Sequence, residues 1–177
     1  MDEAYVDFSS KGSAVELIQK NPNIVVLQTL SKAFGLAGIR CGFCIASQDV
    51  IKLLNNVKAP YNINVLTTEV AINAMNSIET LNKNVESVLD QRKFLAEKLA
   101  KLDFVIEVFP SDSNFILFRV TDRAKEIYKI MADQGVVTRY RGNEMHCEQC
   151  IRVTVGTKLE NIKFLELLEN TWNHLAK

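Results

Sequence analysis

The chain has 177 residues, with 21 lysines and arginines against 21 aspartates and glutamates, so its formal net charge is zero. About half of the residues are hydrophobic and about a quarter are charged, as in ordinary globular domains. The balanced charge, without a basic stretch, gives no indication of nucleic-acid or membrane-surface binding. No apolar run approaches the ~20 residues that cross a bilayer, and the N-terminus lacks the features of a signal peptide. We therefore expect a globular protein with a cytoplasmic or organelle-matrix location.

The first third of the chain predicts alternating helices and strands. Residues 14–20 have short helical spacing, and residues 24–29 (IVVLQT) are β-branched and almost continuously apolar. Such a run is typical of a strand covered on both faces, as in a parallel sheet. Residues 41–46 predict another strand and residues 48–57 a short helix.

The remainder predicts a long helical region followed by a small mixed domain. Residues 67–101 have apolar residues at helical spacing, which predicts one long helix or a bent pair. The later strands are predicted at residues 104–109, 114–120, 136–141 and 151–155, and the later helices at residues 122–134 and 158–174. The order strand, strand, helix, strand, strand, helix is typical of an α+β domain.

Lys32 follows the predicted strand 24–29 and has several polar neighbours in sequence. Alone, it would be read as an ordinary solvated lysine. However, an amine that forms a Schiff base must be deprotonated, and partial burial in positive surroundings lowers its pKa. Arg40 supplies positive charge and a fork that suits a phosphate, and the hydroxyls of Thr29 and Ser31 can donate to the same group.

Asp2 and Tyr5 add two functions that pyridoxal-phosphate chemistry requires. A carboxylate beside the pyridine nitrogen keeps it protonated, so that the ring acts as an electron sink. A phenol can hydrogen-bond to the ring oxygen. Taken singly, Asp2 also fits a helix cap, and Tyr5 fits a core aromatic.

Together these motifs resemble a known enzyme family. Asp2-Glu3-Ala4-Tyr5, followed by TLSKAFGLAGIRCG from Thr29, is similar to the fold-type I aminotransferases of classes I and II, and most similar to the histidinol-phosphate aminotransferases. The resemblance runs through essentially the whole chain but covers only the second half of a usual member. It implies an α/β fold: the C-terminal part of the cofactor-binding large domain, with a mostly parallel sheet (1–66), a long connecting helix (67–101) and a small α+β C-terminal domain (102–177).

The resemblance also assigns roles to the residues of the first segment. It implies that Lys32 is the catalytic residue, which bonds pyridoxal 5'-phosphate and then moves a proton between substrate and cofactor. The further cofactor-binding residues that it implies are Asp2, Tyr5, Thr29, Ser31 and Arg40.

Two arginines near the C-terminus are the predicted substrate-binding residues. Arg152 lies in a strand whose neighbours are apolar, so its side chain must point to the other face or to solvent. Resemblance implies that Arg152 binds the substrate carboxylate and that Arg139 helps to bind the substrate phosphate. Arg141, on the same predicted strand face as Arg139, is a rival for this role.

The implied activity is transamination between histidinol phosphate and 2-oxoglutarate in histidine biosynthesis, by a homodimer. Alternatives are an aromatic-amino-acid aminotransferase, a threonine-phosphate decarboxylase and a catalytically inactive fragment. Family members have an N-terminal half that this chain does not match. That half contributes a glycine-containing turn that binds the phosphate, an aromatic residue that stacks on the pyridine ring, and an asparagine. We therefore expect the isolated chain to bind the cofactor weakly and to have little or no activity.

Two C-x-x-C pairs raise the alternative of a zinc site. Cys41 and Cys44 lie on a predicted strand, where residues three apart point to opposite faces. The second pair, Cys147 and Cys150, lies far away in sequence. We therefore expect core or loop cysteines and no metal.

Overall fold

The computed structural model describes residues 1–175 and divides the chain into two compact units, Met1–Val85 and Glu86–Lys177. Among the described residues, no helix combines the length and the apolar character that a membrane crossing requires.

The first unit is built on a two-stranded antiparallel sheet, β1 (Val25–Thr29) and β2 (Gly42–Ala46), in which Thr29 faces Gly42. The N-terminal residues run beside β1 in the parallel direction. Asp2 forms an isolated parallel bridge with Leu27, whose N–H donates to the Met1 carbonyl and whose carbonyl accepts from the Glu3 N–H. These contacts fix the start of the chain against β1.

The strand pairing differs from the mostly parallel sheet that the sequence predicted. Within residues 1–175, parallel pairing is confined to the isolated bridge. Leu27 in β1 is 48% exposed, so β1 is not covered on both faces as predicted. A parallel pair needs a crossover connection, usually a helix. The segment between β1 and β2 contains only a single 3-10 turn at Ala37–Ile39, so β2 returns antiparallel to β1.

Three helices follow β2: α1 (Gln48–Val57), α2 (Val65–Met75) and α3 (Ile78–Leu99). The region 67–101 is thus a pair of helices, which was one of the two predicted forms. The break comes after Met75, and the Ser77 carbonyl accepts from the Thr80 and Leu81 amides in the first turn of α3. A small core of Leu30, Cys41 and Ala71 packs beneath the segment that carries Lys32.

The second unit is a four-stranded antiparallel sheet with two further helices. Its strands are β3 (Val105–Val108), β4 (Phe115–Val120), β5 (Arg139–Tyr140) and β6 (Cys150–Thr154), in the order β3-β4-β6-β5. The helices are α4 (Ala124–Asp133) and α5 (Lys158–Leu175). The predicted α+β succession is present, although β5 is much shorter than the predicted strand 136–141.

Alternation along β4 and β6 separates a core face from a polar face. Ile116, Phe118 and Ile151 are fully or almost fully buried on the core face. The helices contribute Leu95, Leu99, Ile127, Met131, Phe164 and Leu168 to the same core. The other face carries Arg119 and Arg152.

Candidate functional site

The N-terminal segment places Asp2 and Tyr5 beside β1. Asp2 accepts a hydrogen bond from the Ala4 N–H at 2.9 Å, in an Asx turn, and Tyr5 precedes a short 3-10 helix at Val6–Phe8. The bridge to Leu27 fixes Asp2 along β1. The segment is therefore held in place by backbone contacts with a strand that is distant in sequence.

Glu3 is an anchor that sequence reasoning missed. Its carboxylate accepts from the Ser13 hydroxyl at 2.6 Å, from the Ala14 N–H and from the Gln28 amide at 2.9 Å. Burial by itself raises the pKa of Glu3, but the hydrogen bonds from Ser13, Gln28 and Ala14 outweigh it and hold the pKa below its usual value. These partners lie well outside any helical or strand spacing, so no local pattern could have indicated them.

Lys32 lies against Tyr5. Its Nζ is 5.2 Å from the centroid of the Tyr5 ring, a cation–π distance, and the lysine is half-buried. The backbone turns directly after it: the Gly35 N–H donates to the Lys32 carbonyl, and Gly35 has a φ of 69°. Glycine tolerates this left-handed conformation, so the turn returns the chain without displacing Lys32.

Thr29 and Ser31 form a hydroxyl pair at the end of β1. Their oxygens are 2.9 Å apart, and the Ser31 N–H donates to the Thr29 hydroxyl at 3.0 Å. The carbonyl of Cys41 accepts from the Leu30 N–H and lies 3.3 Å from the Thr29 hydroxyl. Since Arg40 directly precedes Cys41, this hydrogen bonding brings the backbone of Arg40 close to the pair.

Arg40 is exposed and has an unusual backbone. Its φ of 53° and ψ of 42° are left-handed, which costs a non-glycine residue about 1–2 kcal/mol. One guanidinium nitrogen donates to the Ala37 carbonyl at 3.2 Å. Backbone strain of this kind is found preferentially at ligand sites, which supports a functional role for the segment.

A cavity of about 380 Å³ lies beside β1. Its lining is mostly apolar and includes Thr29, Gln28 and Asp7, but neither Lys32 nor Arg40. Burial raises the pKa of Asp7. Thr29 is therefore common to this cavity and to the polar groups around Lys32.

The second unit carries the two arginines that were predicted to bind substrate. Arg152 on β6 faces Arg139 on β5 as its Cα partner, and the Arg152 guanidinium lies 4.8 Å from the centroid of the Phe115 ring. Like charges at opposed strand positions destabilise a sheet unless an anion lies between them. The rival, Arg141, forms an ion pair with Glu144.

The cysteines do not converge in the way a zinc site requires. Cys41 is buried whereas Cys44 is exposed, in keeping with opposite directions on the strand. Across residues 1–175 there is no group of three or more His, Cys, Asp and Glu side chains arranged to hold a metal ion. The thiols of the second pair, Cys147 and Cys150, are not joined in a disulfide.

Comparison with known proteins gives the class to which this fold and these residues correspond. Residues 1–168 match the family model described as aminotransferase class I and II. The chain belongs to this family, whose members are pyridoxal-phosphate-dependent transferases. The resemblance inferred from the lysine motif is therefore confirmed.

Two relatives with high sequence identity to this chain are histidinol-phosphate aminotransferases. The chain is 44% identical to the histidinol-phosphate aminotransferase of Cytophaga hutchinsonii, an alignment that covers 96% of this chain and 48% of that protein. It is 45% identical to the enzyme of the same name from Flavobacterium johnsoniae, over 95% of this chain and 49% of that protein. The chain thus spans about half the length of these relatives.

Solved structures share the fold. The histidinol-phosphate aminotransferase of Clostridium acetobutylicum superposes with a TM-score of 0.91 at 25% identity, over 98% of this chain and 53% of that one. The threonine-phosphate decarboxylase of Porphyromonas gingivalis gives 0.87 at 26%, over 97% and 54%. The α/β fold class of these aminotransferases is therefore confirmed for this chain.

Proposed function

We propose that this chain is the C-terminal half of a histidinol-phosphate aminotransferase, which exchanges an amino group between histidinol phosphate and 2-oxoglutarate in histidine biosynthesis. The observation that carries the proposal is the set of groups around Lys32: a half-buried amine against a phenol, with a hydroxyl pair and a guanidinium in the adjoining turn. The names of the Cytophaga and Flavobacterium relatives support the choice of substrate.

These groups fit pyridoxal phosphate chemically. Two hydroxyls and an arginine suit the phosphate, an amine suits the aldehyde, and a carboxylate suits the pyridine nitrogen. When bound, the cofactor supplies an electron sink for the substrate's reacting carbon. The residues proposed for phosphate binding are Thr29, Ser31 and Arg40, and Asp2 holds the proton on the pyridine nitrogen.

The remaining roles concern proton transfer and substrate anions. Lys32 acts as general base and acid at the substrate carbon, and Tyr5 donates a hydrogen bond to the ring oxygen. Arg152 binds the substrate carboxylate, and Arg139 helps to bind the phosphate of histidinol phosphate. The facing positions of these two arginines in β5 and β6 support a shared preference for anions.

We also propose a cytoplasmic homodimer for the complete protein. Support comes from the extent of exposed apolar surface in the first unit, for example Leu66 on α2, whose side chain is 73% exposed. Large apolar residues that remain exposed mark protein–protein interfaces where they form a patch.

Reconstitution tests the proposed activity. The chain would be co-expressed with the N-terminal half of the Cytophaga hutchinsonii relative, and glutamate formation would be followed with histidinol phosphate and 2-oxoglutarate. We expect turnover with histidinol phosphate to exceed turnover with phenylalanine, and no decarboxylation of threonine phosphate. Lys32→Ala should abolish turnover, whereas Lys52→Ala, at an exposed lysine on α1, should not.

The matched control is the C-terminal half of the Cytophaga protein in place of this chain. If that pair turns over histidinol phosphate and the pair with this chain does not, the proposed function is wrong. A preference for phenylalanine or threonine phosphate would instead favour one of the two related activities. The chain alone should show little or no turnover in the same assay.

A further inference from the structure

The loop before β6 brings two thiols together in a tight turn. The Cys150 N–H donates to the Cys147 carbonyl at 3.0 Å, and Gln149 between them has a φ of 57°. A turn closed in this way keeps its first and last Cα atoms within roughly 7 Å, and disulfides span roughly 4.4–6.8 Å between Cα atoms. The backbone is therefore already suited to a Cys147–Cys150 disulfide.

The two thiols differ in access. Cys147 is half-buried, whereas Cys150 is fully buried. Burial raises the pKa of the Cys150 thiol above its usual value, although the positive charge of Arg119 acts in the opposite direction. An external reagent can therefore reach Cys147 first, while Cys150 meets only its neighbours.

Arg119 provides a cation beside Cys150. The two residues are Cα partners in β4 and β6, and the Nε of Arg119 is buried without a hydrogen-bond partner. Its other contacts are the His146 carbonyl at 3.0 Å, the Glu107 carboxylate at 4.0 Å and the face of the Phe109 ring. A buried donor without an acceptor is unfavourable, and a thiolate at Cys150 would be such an acceptor.

We propose that Cys147 and Cys150 form a reversible dithiol–disulfide site, in which Cys147 reacts with small-molecule disulfides and Cys150 resolves the product. The Cys147 thiolate attacks one sulfur of the oxidant, whose S–S bond breaks and releases one thiol. The Cys150 thiolate, stabilised by Arg119, then attacks the Cys147 sulfur and releases the second thiol. The net change is two protein thiols oxidised to one disulfide and one small-molecule disulfide reduced to two thiols.

The site does not depend on the proposed transaminase function, because none of its groups is among the residues proposed to bind the cofactor or the substrate. The first C-x-x-C pair provides an internal control. Cys41 and Cys44 lie in and beside β2 with opposite burial, so their thiols are not arranged to form a bond.

The test uses the full 177-residue chain, equilibrated with mixtures of reduced and oxidised glutathione. Remaining thiols would be alkylated and peptides analysed by mass spectrometry. We expect a Cys147–Cys150 disulfide with Cys41 and Cys44 alkylated. Cys150→Ser should stop at glutathione attached to Cys147, Cys147→Ser should leave Cys150 reduced, and Arg119→Gln should slow release of the second glutathione by about threefold to tenfold.

A parallel titration in strong denaturant separates a built site from a mere pair of nearby cysteines. We expect the folded chain to hold the disulfide at a glutathione ratio at least tenfold more reducing than the unfolded chain does. Equal midpoints, a disulfide that involves Cys41 or Cys44, or persistent glutathione on Cys147 in the unaltered chain would overturn the proposal.

Discussion

At the scale of single residues, the sequence predicts which chemical groups surround Lys32 but not how they contact one another. The sequence predicted that an amine, two hydroxyls and a guanidinium act together at one site. The structure shows the Thr29 and Ser31 hydroxyls in contact. The stacking of Lys32 on Tyr5 joins positions far apart in the chain and has no signature in spacing. The same holds for the Glu3 anchor, which depends on tertiary contacts.

Gly42 is the residue at which the packing of β1 against β2 is least tolerant. A Cβ built at this position would lie 2.8 Å from the carbonyl oxygen of Gln28. We expect Gly42→Ala to lower the free energy of unfolding by about 1–3 kcal/mol, because the strands must separate next to Thr29. Denaturant titration measures it.

Gly38→Ala is the matched control, since a Cβ there meets nothing within 4 Å. Its free energy of unfolding should stay unchanged or rise slightly. If both variants lost the same stability, close approach of β2 to Gln28 would not be the cause.

At the scale of secondary-structure elements, long periodic segments were predictable and pairing was not. The helices of the second unit follow from apolar spacing, but the direction of β1 relative to its neighbours depends on the connection. Strand β5 is shorter than the apolar pattern suggested, because only Arg139 and Tyr140 pair with β6. An apolar sequence pattern indicates that a strand is buried, but it does not specify the strand with which it pairs.

The start of α5 carries a capping box that makes part of the stability dependent on pH. The Glu160 carboxylate accepts from the N–H and hydroxyl of Thr157, at 2.7 and 2.8 Å. These bonds lower the pKa of Glu160 below its usual 4.5. A group whose pKa is lower in the folded state stabilises the fold above the unfolded pKa, and loses that effect as pH falls through the folded value.

We therefore expect the melting temperature of the chain to fall as pH drops below about 4.5, and Glu160→Gln to remove part of this dependence. Gln still closes the box, so stability near neutral pH should change little. Glu169→Gln, later on α5, is the control and should leave the pH profile unchanged. Identical profiles for all three proteins would show that the box contributes nothing.

At the scale of the whole molecule, the two units differ in how completely they bury their apolar residues. The second unit has a large core, whereas the first buries few residues and exposes many large ones. Helix α2 is apolar on most sides, and Val65 and Leu66 are each 73% exposed. Helices of this composition are normally covered, which is consistent with a chain that spans half of its relatives' length.

The candidate cofactor site could be predicted only in part. The groups around Lys32 lie within the first unit, but the family contacts that hold the cofactor from the N-terminal half have no counterpart among these residues. We therefore expect the chain alone to bind the cofactor weakly. The lysine to which the cofactor attaches is therefore a more informative measurement than the strength of cofactor binding.

The most direct measurement is to incubate the chain with excess pyridoxal phosphate, reduce with borohydride, and map the modified lysines by peptide mass spectrometry. We expect one dominant label, at Lys32, which disappears in Lys32→Ala and persists in Lys52→Ala. Labels spread evenly over the exposed lysines, with the same total in Lys32→Ala, would contradict it.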